Sequence, residues 1–207
     1  MISLNSFKKH FMMLLFKNEK IKVYWKNLEA LTLEEKFLWQ KNIPLGISLR
    51  KQKEWNSMTE VAPNEKLKYG ALAVLAEKNH VDWSLSQSAH YVLVGYSEKS
   101  KIGVDIERTD RPGHFSEFGL TSRELKFVKS LCEPEMRKFA YLFYWVQKEA
   151  LYKCGQIENF KPEKIESYIE CESKSLNQFM TEDFILEKDS MVLFKKGKTI
   201  GAISWAL

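Results

Sequence analysis

Hydrophobic and polar positions alternate with a period of two over residues 21–25, 90–96, 102–106 and 199–205, which predicts β-strands there. An apolar run, Phe11-Met12-Met13-Leu14-Leu15-Phe16, predicts a further buried strand near the start of the fold. Six residues fall short of the roughly 7–15 of a signal-peptide core, and no small-residue cleavage site follows. The run is also far too short to span a bilayer. Between the strands the period lengthens to that of helices. Residues 32–39 open on Thr32 with Glu35 three positions on, and residues 121–131 repeat the device with Thr121 and Glu124. Each is a capping box, in which hydroxyl and carboxylate satisfy helix N–H groups reciprocally. A third helix is predicted over residues 134–153, with Pro134 in the first turn, where its missing N–H costs nothing.

The order of these elements repeats faintly. Val23-Tyr24-Trp25 precedes Glu34-Glu35-Lys36-Phe37 and then Gln52-Lys53-Glu54-Trp55; Val104-Asp105-Ile106 precedes Glu124-Leu125-Lys126-Phe127 and then Gln147-Lys148-Glu149. Each half closes on an apolar strand. The offsets drift, which a chance likeness would also give. The alternative is two α+β lobes, residues 1–100 and 101–207, facing each other across a cleft suited to a ligand. No Pro/Gly/Ser linker separates the halves, as expected of a tightly packed pair.

Candidate chemistry gathers in the second half. In a strand, alternate side chains share a face, so Val104 and Ile106 point into the core while Asp105 and Glu107 point together the other way. Two adjacent carboxylates repel by about 1 kcal/mol or more, depending on the local dielectric. A divalent cation between them would offset that cost, and oxygen ligands suit magnesium. A solvent-exposed strand face carrying two acids is the other reading. On the third helix, Glu149 and Lys153 are four residues apart and share a face, in the favourable acid-before-base order. Lys148 sits beside them, among Leu142, Trp145, Val146 and Leu151. An ordinary surface ion pair would look the same; so would the parts for phosphoryl transfer.

Composition narrows the classes. Of 207 residues, 44% are hydrophobic and 13% aromatic, enough for a packed core and unlike a disordered chain. The excess of 32 Lys and Arg over 27 Asp and Glu, with a pI near 8.9, favours anionic partners without forming a nucleic-acid-binding tail. The richest basic run, Lys195-Lys196-Gly197-Lys198, is read as a solvated hairpin turn. Cys132, Cys154 and Cys171 have no metal spacing and fit reduced thiols in a cytoplasm-like compartment. No two of the four histidines sit at ligand spacing, so no zinc site is expected. Neither a nucleic-acid nor a membrane partner is expected.

Gly103-Val104-Asp105-Ile106-Glu107, followed about 40 residues later by Trp145-Val146-Gln147-Lys148-Glu149-Ala150-Leu151-Tyr152-Lys153, resembles the signature of the 4′-phosphopantetheinyl transferases. That signature reads G-[IV]-D-[IV]-E, then W-x-x-K-E-[AS]-x-x-K, and every fixed position is met. Trp83-Ser84-Leu85-Ser86-Gln87-Ser88 and Phe118-Gly119-Leu120-Thr121-Ser122-Arg123-Glu124 are also similar, and Arg50 to Trp55 is a fainter echo. The length resembles the surfactin-synthetase type, a single chain holding two lobes. The implied fold is α+β and pseudo-dimeric: two similar lobes with antiparallel sheets, the first on the nucleotide side of the cleft and the second carrying the metal and catalytic motifs.

The resemblance implies an enzyme that moves the 4′-phosphopantetheine arm of coenzyme A onto a serine of an acyl- or peptidyl-carrier protein, releasing 3′,5′-ADP. Asp105, Glu107 and Glu149 would hold magnesium. Glu149, or a metal-bound hydroxide, would take the serine proton, Lys153 would steady the leaving phosphate, and Lys148 would assist phosphate binding. Arg50, Ser86 and Gln87 would hold the nucleotide end. Gln87 stands where the family usually has histidine; it donates a hydrogen bond but carries no charge. The upstream G-K-P element has only Lys68-Tyr69-Gly70-Ala71 in its place. A two-lobed chain builds its cleft without a partner subunit, so a cytoplasmic monomer is expected. The same fold binding coenzyme A or a carrier protein without turnover is the alternative, and an enzyme acting on another phosphoanhydride is a third reading.

Overall fold

The computed structural model describes residues 13–17, 21–27, 82–97, 99–111, 119–155 and 159–206. The helix expected over residues 32–39, and Arg50, lie outside the described residues. The chain divides into two compact units, Met1–Lys99 and Ser100–Leu207. The fold is α+β, with an antiparallel four-stranded sheet in each unit.

In the first unit, β1 (Met13–Lys17), β2 (Ile21–Asn27), β3 (Asp82–Ser88) and β4 (Tyr91–Ser97) pair in the order β1-β2-β4-β3. Val92, Leu93 and Val94 of β4 are fully buried, as expected of a strand with neighbours on both edges. His90, expected to open β4, lies in the tight turn after Ala89, whose φ of 51° reverses the chain. The strand at 82–88 was not legible from alternation alone, because serines occupy its buried positions 84, 86 and 88.

The second unit runs β5 (Ile102–Arg108), α1 (Ser122–Ser130), α2 (Pro134–Lys153), a 3-10 turn (Pro162–Lys164), α3 (Ser173–Thr181), β6 (Phe184–Lys188), β7 (Met191–Lys196) and β8 (Thr199–Trp205). Its sheet order is β5-β8-β7-β6, all antiparallel. In both sheets an early strand, β2 or β5, pairs with the last strand of its unit, which forms a hairpin with the strand before it.

The capping box that opens α1 is present: Glu124 N–H donates to the Thr121 hydroxyl, and Thr121 N–H donates to the Glu124 carboxylate at 2.8 Å. Helix α2 begins at Pro134, as its sequence predicts, and ends where Gly155 takes a φ of 70°. It packs on β5 and β8. Its buried residues lie on several sides, including Phe143, Val146, Ala150 and Leu151, as befits a helix enclosed by sheet and loops. Met191, Leu193, Ile200 and Ala202 join them in one core cluster.

Gly103 sets how closely helix and sheet approach. A Cβ there would stand 1.9 Å from the Ala150 carbonyl oxygen and 2.4 Å from the Cys154 nitrogen. Backbone cannot swing aside as a side-chain tip can. The face of β5 bearing Gly103, Asp105 and Glu107 is therefore the face that α2 covers, which corrects the expectation that the acids point away from packed protein. The basic run at 195–198 is corrected in part. Gly197 and Lys198 form the exposed β7–β8 turn, but Lys195 is a buried strand residue whose ammonium donates to the Glu182 carbonyl at 3.1 Å.

Gly103→Ala should destabilise the protein by about 1–3 kcal/mol or more, the cost of overpacking a site that cannot relax. Urea unfolding measures it, and a loss under about 0.5 kcal/mol, the size of an ordinary surface change, would contradict the close approach.

Candidate active site

Asp105 sits mid-strand on β5, opposite Ala202 of β8 and beneath α2, with 5% of its surface exposed. That excludes a solvated strand face at this position. A buried carboxylate is costly unless a charge or hydrogen bond compensates it. The compensation comes from the last turn of α2. The Lys153 ammonium donates to Asp105 Oδ1 at 2.6 Å and lies 3.8 Å from Glu149 Oε2, one helical turn back. Residues 48 positions apart in sequence thus meet over one ammonium.

Glu107, two residues along β5 and on the same face, is half-buried; its Oε1 accepts from Arg111 Nη1 at 3.1 Å. Burial pushes the Glu149 carboxyl above its ordinary range, Lys153 pulls it back, and the Glu107 charge pushes it up again. Glu107 and Glu149 therefore act on each other across the same space. Tyr141, two turns before Glu149, lies in that field too. Burial raises its phenol, with Arg111 opposing and Glu107 and Glu149 adding to the rise. Its ring stacks on Trp145 at 5.9 Å.

Lys148 is placed differently from its expected part in phosphate binding. Its side chain is fully buried, and its ammonium donates to Glu124 Oε2 at 2.5 Å and to the carbonyls of Gly119 and Pro162 at 2.8 Å each. An ammonium has three protons, and all three have acceptors within the protein. Desolvation lowers the Lys148 pKa from its ordinary value, and Glu124 opposes the shift. No proton of Lys148 is left for a phosphate.

Ser86 and Gln87 belong to the first unit. Ser86 is buried on β3, and half-buried Gln87 donates from Nε2 to the Ala89 carbonyl at 2.9 Å, holding the turn into β4. Sequence reasoning singled out Arg50, Ser86, Gln87, Asp105, Glu107, Lys148, Glu149 and Lys153. Of these the structure brings Asp105, Glu149 and Lys153 into contact, with Glu107 beside them. Sequence reasoning missed Arg111 and Tyr141, which belong to no quoted motif, and gave Glu124 no role beyond the cap of α1. Among the described residues no group of three or more Asp, Glu, His or Cys side chains is arranged to hold a metal ion. What stands at the acids instead is the Lys153 ammonium and the Arg111 guanidinium.

The family model of the 4′-phosphopantetheinyl transferase superfamily matches residues 101–196. The matched segment runs from the residue before β5 to the end of β7 and contains the whole acid group together with Lys148 and Glu124. None of the curated proteins compared with the chain matches it. No helix among the described residues is long and apolar enough to cross a membrane. None of the three cysteines is in a disulfide, and burial pushes the Cys171 thiol up to about 12.

The raised Glu149 pKa fixes the sign of a pH effect. A fold that favours the protonated acid is stabilised by it below the unfolded pKa and loses that stability as pH rises through the folded pKa. Glu149→Gln should therefore raise the melting temperature at neutral pH, with the gain disappearing below about pH 4, where glutamate is protonated in both states. A gain of equal size at both pH values would show that desolvation of the charge is not the cause.

Proposed function

We propose that the protein transfers the 4′-phosphopantetheine moiety of coenzyme A to a serine of an acyl- or peptidyl-carrier protein and releases 3′,5′-ADP. The observation that carries this reading is the meeting of Asp105, Glu149 and Lys153 over one ammonium, inside the segment that the transferase family model matches. The unit from residue 101 onward is the catalytic lobe in this reading. Residues 1–100 form a lobe of similar build on the nucleotide side, giving a pseudo-dimeric monomer of the surfactin-synthetase type that works in the cytoplasm.

Carboxylates are hard oxygen donors, the chemistry magnesium prefers over softer metals, and β5 and α2 carry Asp105, Glu107 and Glu149 on the faces they turn to each other. Asp105, Glu107 and Glu149 would hold it, and when bound it would neutralise charge on the coenzyme A pyrophosphate. Glu149, held above its ordinary pKa by burial, is the better for it as acceptor of the serine proton. The serine oxygen forms a bond to the β-phosphorus while the bond to the bridging oxygen breaks, and that electron pair leaves with 3′,5′-ADP. Lys153, which already bridges two carboxylates, turns its charge to the departing phosphate. Arg50, Ser86 and Gln87 hold the nucleotide.

Intact-mass spectrometry of an apo carrier protein, incubated with this protein, coenzyme A and magnesium, tests the proposal. The carrier should gain one phosphopantetheine unit, and chelator should prevent the gain. Asp105→Ala and Glu149→Ala should each abolish transfer while leaving a folded protein by circular dichroism. Coenzyme A binding without any gain in carrier mass, across several carriers, would instead favour a non-catalytic binding protein of the same fold.

A further inference from the structure

Two consecutive residues of α2, Gln147 and Lys148, are polar and fully buried. Gln147 accepts from Ile169 N–H at 2.9 Å and donates to the carbonyls of Ile169 and Phe143. Its amide thereby pairs with the backbone of Ile169 much as a strand would. Lys148 reaches the Gly119 carbonyl before α1, the Glu124 carboxylate in the first turn of α1, and the Pro162 carbonyl at the 3-10 turn. Glu124 is saturated in turn: its Oε2 also accepts from Thr121 N–H, and its Oε1 accepts from the Ser167 hydroxyl at 2.7 Å.

The knot is built of bonds that are hard to break singly. A buried carboxylate or ammonium that loses its partner keeps the cost of desolvation and gains nothing back. Rotation of α2 about its axis would strand both charges and three carbonyls together. Successive residues on a helix stand about 100° apart, so holding Lys148 in one direction fixes the direction of Glu149 beside it. Lys153 follows on the same rigid helix, where 2.6 Å to Asp105 leaves little room for error.

We infer that Lys148 and Glu124 are positioning residues of the transfer reaction: their buried pair sets the rotation of α2 and so places Glu149 and Lys153 against Asp105. This rests on the function proposed above, and it replaces the phosphate-binding role expected of Lys148 from its motif. Neither residue touches substrate in this account.

The test combines Lys148→Met alone, Lys148→Met with Glu124→Gln, and Lys153→Met in each of those backgrounds and in the native chain. Glutamine keeps the capping box at Thr121, and the neutral pair leaves no buried charge without a partner, so the double variant stays folded where the single one fails. If the knot places Lys153, then Lys153→Met should shift the urea unfolding equilibrium about tenfold less in the double variant than in the native chain, within the usual range for coupled groups. In the transfer assay the double variant should lose about 100-fold in kcat, the effect of an ångström-scale misplacement, with the KM for coenzyme A unchanged. A KM that rises while kcat holds would mean that Lys148 contacts coenzyme A, and native kcat in the double variant would mean that the pair serves stability alone. Either result overturns the inference, as does an additive Lys153→Met effect. If the native chain transfers nothing, the functional reading fails by itself, and the unfolding cycle alone decides the placement.

Discussion

The second unit depends on how near α2 lies to β5. Their backbones touch at Gly103, where a methyl group would collide with the Ala150 carbonyl. That approach seals Asp105 away from water on a strand where Ile102, Val104 and Ile106 are buried too. A carboxylate so placed needs a positive charge from the element that buries it, and Lys153 in the last turn of α2 supplies one. The site follows from this single constraint. Glycine brings the helix down, the helix desolvates the acid, and the acid draws in the lysine, with Glu149 one turn back and Glu107 two residues along the strand.

The polar residues of α2 divide by direction. Tyr141, Trp145, Glu149 and Lys153 stand half-buried along its open side, where Glu107 acts on both Tyr141 and Glu149 and Arg111 acts on Tyr141. Gln147 and Lys148 turn inward and are consumed by the loops that flank the helix. One motif thus carries two lysines with opposite duties. Lys148 is spent on structure because three acceptors surround it; Lys153 keeps a side chain 29% exposed and lies against two carboxylates. Burial, rather than residue type, separates an ammonium available to a substrate from one that is not.

Much of this was legible in the sequence wherever local rules decide. Pro134 marked the first turn of α2, and Thr121 with Glu124 marked the cap of α1; both devices act within four residues. The alternation at 102–106 put Asp105 and Glu107 on one face correctly. What alternation could not say is which face of the sheet a helix would cover, so the acids were expected to point away from packed protein. The inward direction of Lys148 is beyond alternation for the same reason. Its partners Glu124, Gly119 and Pro162 are 14 to 29 residues away and come together only through packing. Strand β7 shows no period because Met191-Val192-Leu193-Phe194 is apolar throughout, as a strand buried on both faces must be, and the short β6 is largely exposed. The resemblance to the transferases points to Asp105, Glu107 and Glu149 as metal ligands with Lys153 on the leaving phosphate; the fold gives the physical reason that Asp105, Glu149 and Lys153 meet.

In the function proposed above, Asp105, Glu107 and Glu149 hold a divalent cation together with coenzyme A. Electron paramagnetic resonance of manganese, substituted for magnesium, reads that binding. With coenzyme A present, the native chain should take up manganese, and Asp105→Asn, which keeps the shape of the side chain, should lose most of that binding. Manganese bound equally well by Asp105→Asn would mean that the buried acid on β5 has no part in holding the cation.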